Sequence, residues 1–324
     1  MNRRQGSLPT SVSQLRLRAG TYARIRAFFA ERDVLEVETP ILSAAGNTDP
    51  NIRSFTTSFS GHVDAGARQR WLRTSPEFPL KRLLAAGAGD IYELGRVFRD
   101  GEAGGRHNPE FSMLEWYRVG WNEARLAREV IDLLERLLVE AGKTFGVVET
   151  TYRGLFHDAL GIDPLTDPVE RLQAAMQGTH VDGDGLERDD WLDLVLTHRI
   201  QCEFPRDRIT VVSDFPASQC ALARIRHDDP PVAERFEVYV GPYEVANGYH
   251  ELNDAAEQRA RFERDNAKRR ERGDGEVPVD ERLLAVLGDM PDCAGVALGV
   301  ERLLMVLAGT DAIGDVLAFP FAEA

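Results

Sequence analysis

Long apolar runs are missing from this chain. Nothing in its 324 residues approaches the roughly 20 consecutive apolar positions that a membrane-crossing helix needs. Residues 1–13 are polar and carry no apolar stretch of the secretory kind, so a cytoplasmic protein is expected. Cysteine is scarce too. Cys202, Cys220 and Cys293 are the three present, far apart and without pairing or metal-ligand spacing, which excludes a disulfide framework and leaves reduced thiols. Positive charge is in short supply: 39 Lys and Arg stand against 53 Asp and Glu, a net charge of −14. A nucleic-acid binder of that balance needs a concentrated basic surface. The best candidates are residues 68–73 and 259–272, and the second interleaves acids with its bases, as a solvated helix with i,i+4 ion pairs does. Internal repeats and low-complexity segments are absent.

What is present is ordinary globular material. Hydrophobic residues make up 43% and charged residues 28%, enough for one large domain or two smaller ones with a sizeable core. Leu15, Tyr22, Ile25, Phe28 and Phe29 recur at mostly helical spacing and predict a helix over 15–32. A strand over 35–39 follows and ends at Pro40, which cannot donate to a ladder. Two strands, 91–99 and 110–118, flank a Gly-rich loop. Asn122 caps a predicted helix over 122–141 whose apolar side is Leu126, Val130, Leu133, Leu134, Leu137 and Leu138. Residues 142–210 read as mostly helical, with an acidic loop at 181–190 that lacks the terminal glutamate of a calcium loop. Strands are expected again at 209–213, 235–240, 243–248 and 295–299, with helices at 255–272 and 300–308. The balance is α+β around an antiparallel sheet flanked by helices.

Two arginines stand out. Arg99 lies in Arg96-Val97-Phe98-Arg99-Asp100-Gly101-Glu102, followed by His107-Asn108-Pro109-Glu110-Phe111. Arg302 lies in Gly295-Val296-Ala297-Leu298-Gly299-Val300-Glu301-Arg302-Leu303, a strand running into a helix with the arginine in its first turn. A guanidinium is always charged and binds phosphate oxygens bidentately, so fixed arginines beside flexible glycines point to a polyphosphate.

These two segments resemble motifs 2 and 3 of class II aminoacyl-tRNA synthetases, the lysyl enzymes in particular. Val34-Leu35-Glu36-Val37-Glu38-Thr39-Pro40 is similar to motif 1. Thr74-Ser75-Pro76-Glu77, Met113-Leu114-Glu115-Trp116-Tyr117 and Glu244-Val245-Ala246-Asn247-Gly248-Tyr249-His250-Glu251-Leu252 are similar to lysine-handling segments. The resemblance implies one class II catalytic domain over 15–324, preceded by a polar tail at 1–14, with a homodimer built on motif 1. A lysyl-tRNA synthetase also carries an N-terminal anticodon-binding barrel of about 100 residues, and motif 1 begins here almost at once. A lysyl-type catalytic core without that domain resembles the elongation factor P–lysine lysyltransferase family. The acceptor implied is then a lysine of elongation factor P, with no tRNA and no membrane expected as partners.

The same resemblance distributes roles. Arg99 grips the α-phosphate of ATP and the substrate carboxylate; Arg302 holds the far phosphates. Asp100, Gly101, His107, Asn108, Phe111, Val245 and Gly299 complete the ATP site, with Phe111 on adenine. Glu237 and Glu244 bind Mg²⁺, and Glu244 also borders ATP. Ser75, Pro76, Glu77, Glu115, Tyr117, Asn247, Tyr249, Glu251 and Ala297 line the amino-acid pocket, with Glu77 toward the backbone amine and Glu251 toward the ε-ammonium. A buried ammonium needs such anionic partners to offset its desolvation.

The chain departs from the synthetase pattern at three positions. Gly101 replaces the acid expected two residues after Arg99, with Glu102 next to it. Ala297 replaces a glycine, and its methyl group favours a displaced amine, as in (R)-β-lysine, over α-lysine. His250 replaces a small polar residue and is a candidate proton acceptor for an attacking lysine amine, or simply a packing residue. Two other readings stay open: a truncated lysyl-tRNA synthetase-like enzyme with another acceptor, and a non-catalytic regulatory paralogue.

Overall fold

The computed structural model describes residues 11–62, 64 and 66–324; of the expected polar tail, residues 1–10 lie outside this range. Two compact units are formed. The first takes the chain up to Gly120, then Asn253–Cys293 and Ala297–Ala324; the second takes Trp121–Leu252 and Ala294–Val296. Among the described residues, no helix is long and apolar enough to cross a membrane.

In the first unit, helix α1 (Val12–Ala30) starts earlier than its apolar residues alone suggest, because Ser11 supplies a cap whose side chain accepts the Gln14 N–H. One face buries Thr21, Ile25, Phe28 and Phe29. Strand β1 (Leu35–Glu36) spans two residues rather than the expected five and pairs in parallel with β5 (Ile91–Phe98). Antiparallel to β5 runs β6 (Glu110–Val119), and β12 (Cys293–Gly299) lies beside β6. A separate three-stranded sheet is made of β2 (Leu42–Ser43), β4 (Gln69–Leu72) and β3 (Thr56–Ser58), in that order.

Side chains alternate across a strand, and β6 shows what that accomplishes. Its Trp116 packs edge-on against Phe29 of α1, while Phe111, Glu115 and Tyr117 take the opposite face. Helices α2 (Glu77–Ala85), α7 (Ala255–Arg272), α8 (Glu281–Leu284) and α9 (Val300–Ala308) complete the unit. Helix α7 is not merely the solvated rod expected of 259–272. Arg261 and Arg269 are buried; the first pairs with Glu257, and the second donates to the Gly275 carbonyl at 3.0 Å. The other basic candidate is also partly internal, since Arg73 is buried against Glu93 at 2.6 Å.

In the second unit, α3 (Glu123–Glu140) is capped by Asn122, and all six of its expected apolar residues are buried. The sheet runs β11 (Tyr243–His250), β10 (Val232–Val240), β8 (Arg208–Pro216), β7 (Gly146–Thr151), with β9 (Ile225–Arg226) on β10. Strand β7 falls inside the stretch read as mostly helical. It pairs in parallel with β8, so with β1 and β5 the architecture is mixed rather than wholly antiparallel. Its Val147 and Val148 are exposed, which removed the alternating pattern that marks a half-buried strand. The rest of that stretch is helical: α4 (Tyr152–Leu160), α5 (Val169–Ala175) and α6 (Arg188–Val195). The acidic loop ends where Glu187 and Asp190 form a capping box for α6, a use for those carboxylates that requires no ion.

Candidate active site

Arg99 follows the last residue of β5, and three neighbours hold it in place. Its Cζ lies 5.2 Å from the centre of the Phe111 ring. Nη1 is 3.6 Å from Oε1 of Glu102, and Nε is 3.5 Å from the Thr74 carbonyl oxygen. Gly101 adopts φ +83°, the left-handed region that favours glycine. With Gly101 in that turn, Glu102 is the acid that lies on the arginine. Arg302 projects from the first turn of α9, and its Nη2 lies 2.9 Å from Nε2 of His107. Both arginines of the first unit are therefore held by side chains from the same loop, 100–109.

The other loop residues are less uniform in role. Asn108 is buried and fully engaged with backbone: its amide donates to the Glu110 carbonyl at 2.7 Å and accepts the Phe321 N–H at 3.0 Å. It shapes the loop. Asp100 is tied down through its N–H to the Arg53 carbonyl, at 2.8 Å.

The amino-acid residues of the first unit are built on α2, β6 and β12. Ser75 accepts the Glu77 N–H at 3.2 Å, and the Pro76 carbonyl accepts the Leu80 N–H at 3.1 Å, so the two residues fix the start of α2. Glu77 then forms an ion pair with Lys81 at 2.6 Å, a lysine only 1% exposed. Sequence reasoning missed this partner, although the i,i+4 spacing was visible. Glu115 is buried and accepts the Tyr117 hydroxyl at 2.8 Å. Ala297 and Gly299, two apart on β12, are half-buried between fully buried neighbours, so they share the strand's less covered face.

In the second unit, β10 and β11 place Glu237 opposite Asn247 and Arg235 opposite Tyr249. These four share one face. Glu237 is buried and accepts hydrogen bonds from Arg235 and from the Tyr239 hydroxyl. Burial, with Glu244 nearby, pushes its carboxyl above the ordinary range against the opposing pull of Arg235. Glu244 pairs with Tyr239 just past an irregularity in the register at Val238/Tyr239. The Asn247 side-chain oxygen is buried and finds no hydrogen-bond partner among the described residues. Val245 is buried, and Gly248 is required where it stands: a Cβ there would meet the Phe236 ring at 2.5 Å. Glu251, past the end of β11, is buried and bridges to Ala223.

His250 is oriented differently. The register that aligns Tyr249 with Arg235 turns His250 to the other face of the sheet, against α3. Its Nδ1 lies 2.7 Å from Oε2 of Glu234 and 3.7 Å from Oε2 of Glu123. Arg235 and Tyr239 were also passed over in the sequence, though both stand two positions from Glu237 and so share its face.

Residues 7–323 match the family model of class II tRNA synthetases (D, K and N). A protein of Vibrio cholerae named elongation factor P–(R)-beta-lysine ligase is 48% identical over 98% of each chain. Proteins of the same name from Vibrio parahaemolyticus and Klebsiella pneumoniae are 46% and 45% identical, covering 96% and 95% of each chain. With the family model matched over nearly the whole chain and relatives alike along nearly their whole length, this chain belongs to the class II (D, K and N) tRNA synthetase family, on the branch that holds the elongation factor P–(R)-beta-lysine ligases.

Proposed function

We propose that the protein is an ATP-dependent ligase that adenylates (R)-β-lysine and transfers it to the ε-amino group of a specific lysine of elongation factor P. One observation carries the reading: Arg99 and Arg302 are both held by partners from a single loop, Glu102 at 3.6 Å and His107 at 2.9 Å. Polyphosphate oxygens compete well with such partners, because they offer bidentate, doubly charged contacts to a guanidinium. A regulatory relic has no need to keep two arginines in this state.

In the first step the substrate carboxylate attacks the α-phosphorus, the acyl-adenylate forms and pyrophosphate leaves. A carboxylate is already ionised at neutral pH, so positioning and charge stabilisation are the protein's task. Arg99 holds the α-phosphate and the carboxylate; Phe111 stacks on adenine; Arg302 and His107 take the far phosphates. In the second step the acceptor amine, having lost its proton, attacks the acyl carbonyl, an amide bond forms and AMP leaves. Glu237 and Glu244 fit Mg²⁺, since a second carboxylate close enough to raise the proton affinity of the buried Glu237 offers hard oxygen ligands beside it. When bound, the ion neutralises phosphate charge. Beside them, the buried Asn247 oxygen, without a hydrogen-bond partner among the described residues, accepts from the cationic amino acid, and Glu251 takes the far ammonium.

The test is to incubate the protein with ATP, (R)-β-lysine and elongation factor P and weigh the factor by mass spectrometry. A gain of one lysyl residue is expected, and ATP–pyrophosphate exchange should favour (R)-β-lysine over α-lysine because of Ala297. Labelling of tRNA with no mass gain on the factor would reject the proposal.

A further inference from the structure

His250 lies outside the roles assigned above. Its side chain and that of Glu234 occupy the sheet face opposite Asn247 and Tyr249, so it is not aimed at the reacting groups. Glu123, the first residue of α3, closes the cluster from the helix side. The His250, Glu234 and Glu123 side chains are 13%, 18% and 13% exposed, which leaves two poorly solvated carboxylates on one imidazole edge. Burial, and then the nearby Glu234, push the Glu123 carboxyl above its ordinary range, with His250 pulling the other way. Without the ring, two carboxylates would face one another with little water to separate them.

The backbone carries this arrangement to the other face. The His250 carbonyl accepts the Arg224 N–H at 2.9 Å, and the Glu251 carbonyl accepts Nε of the same arginine at 2.8 Å. The ring therefore anchors one end of a two-residue step whose other end is Glu251.

We infer that His250, clamped by Glu234 and Glu123, is a positioning residue that holds Glu251 on the substrate face and so sets affinity for the diamino acid. The inference rests on the reading of Glu251 as the ammonium partner, and the two are tested separately. Pyrophosphate exchange is measured on the full chain for wild type and for His250→Ala, His250→Asn, Glu234→Gln and Glu251→Gln. His250→Ala should raise KM for (R)-β-lysine about tenfold with KM for ATP within about twofold of wild type, a split that general loss of folding does not produce. His250→Asn keeps an N–H close to the place of Nδ1 and should restore most of the loss. Glu234→Gln, which keeps the ring, should shift KM for the amino acid in the same direction by a smaller factor. If Glu251→Gln raises that KM while His250→Ala and Glu234→Gln leave it unchanged, the positioning role is wrong. If exchange is intact in both His250 variants and only transfer to elongation factor P fails, His250 is a proton acceptor after all. A wild-type KM in Glu251→Gln would instead overturn the ammonium reading itself.

Discussion

A single carboxylate, Glu123, carries a testable pH signature. Burial, chiefly, raises its proton affinity in the folded state. The folded protein then holds a proton that the unfolded chain has released, in the window above the ordinary glutamate value of about 4.3. Within that window stability falls as pH rises, since the native state binds more protons than the unfolded one. Glu123→Gln removes this dependence. Thermal denaturation of wild type and Glu123→Gln across the window should show the variant gaining relative stability with rising pH; a constant difference in Tm would contradict the assignment. Other residues show what sequence could and could not reveal. Arg99 and Arg302 stood out because guanidiniums beside flexible glycines suit a polyphosphate, whereas Gly101 stood out only as the place where an expected acid is missing. Lys81 on Glu77 and Tyr239 on Glu237 were passed over because an ion pair or hydrogen bond inside a site carries no motif of its own. For His250, residue type left proton transfer and packing both open, and strand register puts the ring on the face opposite Tyr249.

At the scale of elements, the first unit depends on one junction. Glu301 is 1% exposed; it accepts the Ser112 N–H of β6 at 2.8 Å and pairs with Arg18 of α1 at 2.8 Å. Arg18 also donates to the Val316 carbonyl at 3.0 Å. The residue before Arg302 thus joins α9 to both α1 and β6. Replacing Glu301 by Gln leaves Arg18 partly buried beside a neutral group, a loss of about 3 kcal/mol, and should raise KM for ATP by loosening the start of α9. A double-mutant cycle with Arg18→Met, read by denaturant titration, should show strong coupling; additive single effects would mean the two residues act independently. Helices were the most legible elements, with α7 and α9 expected over the very residues they occupy. Strand β7 was hidden because its valines face outward, and β1 is short because its ladder pairs for only two residues.

At the scale of the whole molecule, the expectation to test is the homodimer. In the first unit Leu35 and Leu42 are 56% and 50% exposed on the motif 1 segment and just beyond it. Apolar side chains that open to water beside an edge strand are costly unless another surface covers them. Light scattering coupled to size exclusion should return twice the chain mass at micromolar protein. Leu35→Asp should shift it toward the single-chain mass while the far-ultraviolet circular dichroism is retained; a wild-type monomer would remove the dimer from the account. The net charge of −14 belongs to this scale as well. The two stretches that could have offset it locally are partly internal, with Arg73, Arg261 and Arg269 buried, which weakens the case for a nucleic-acid acceptor.

The sequence by itself determined the family and the chemistry on offer, because guanidiniums, carboxylates and glycines at fixed spacing are requirements of the reaction and are written residue by residue. The tertiary structure alone decided which groups meet: Glu102 on Arg99, His107 on Arg302, Glu301 under α9, and His250 behind the sheet rather than before it. These pairings depend on strand register and on loop closure, properties of the folded chain in which residues nearly 200 positions apart, such as His107 and Arg302, come into contact.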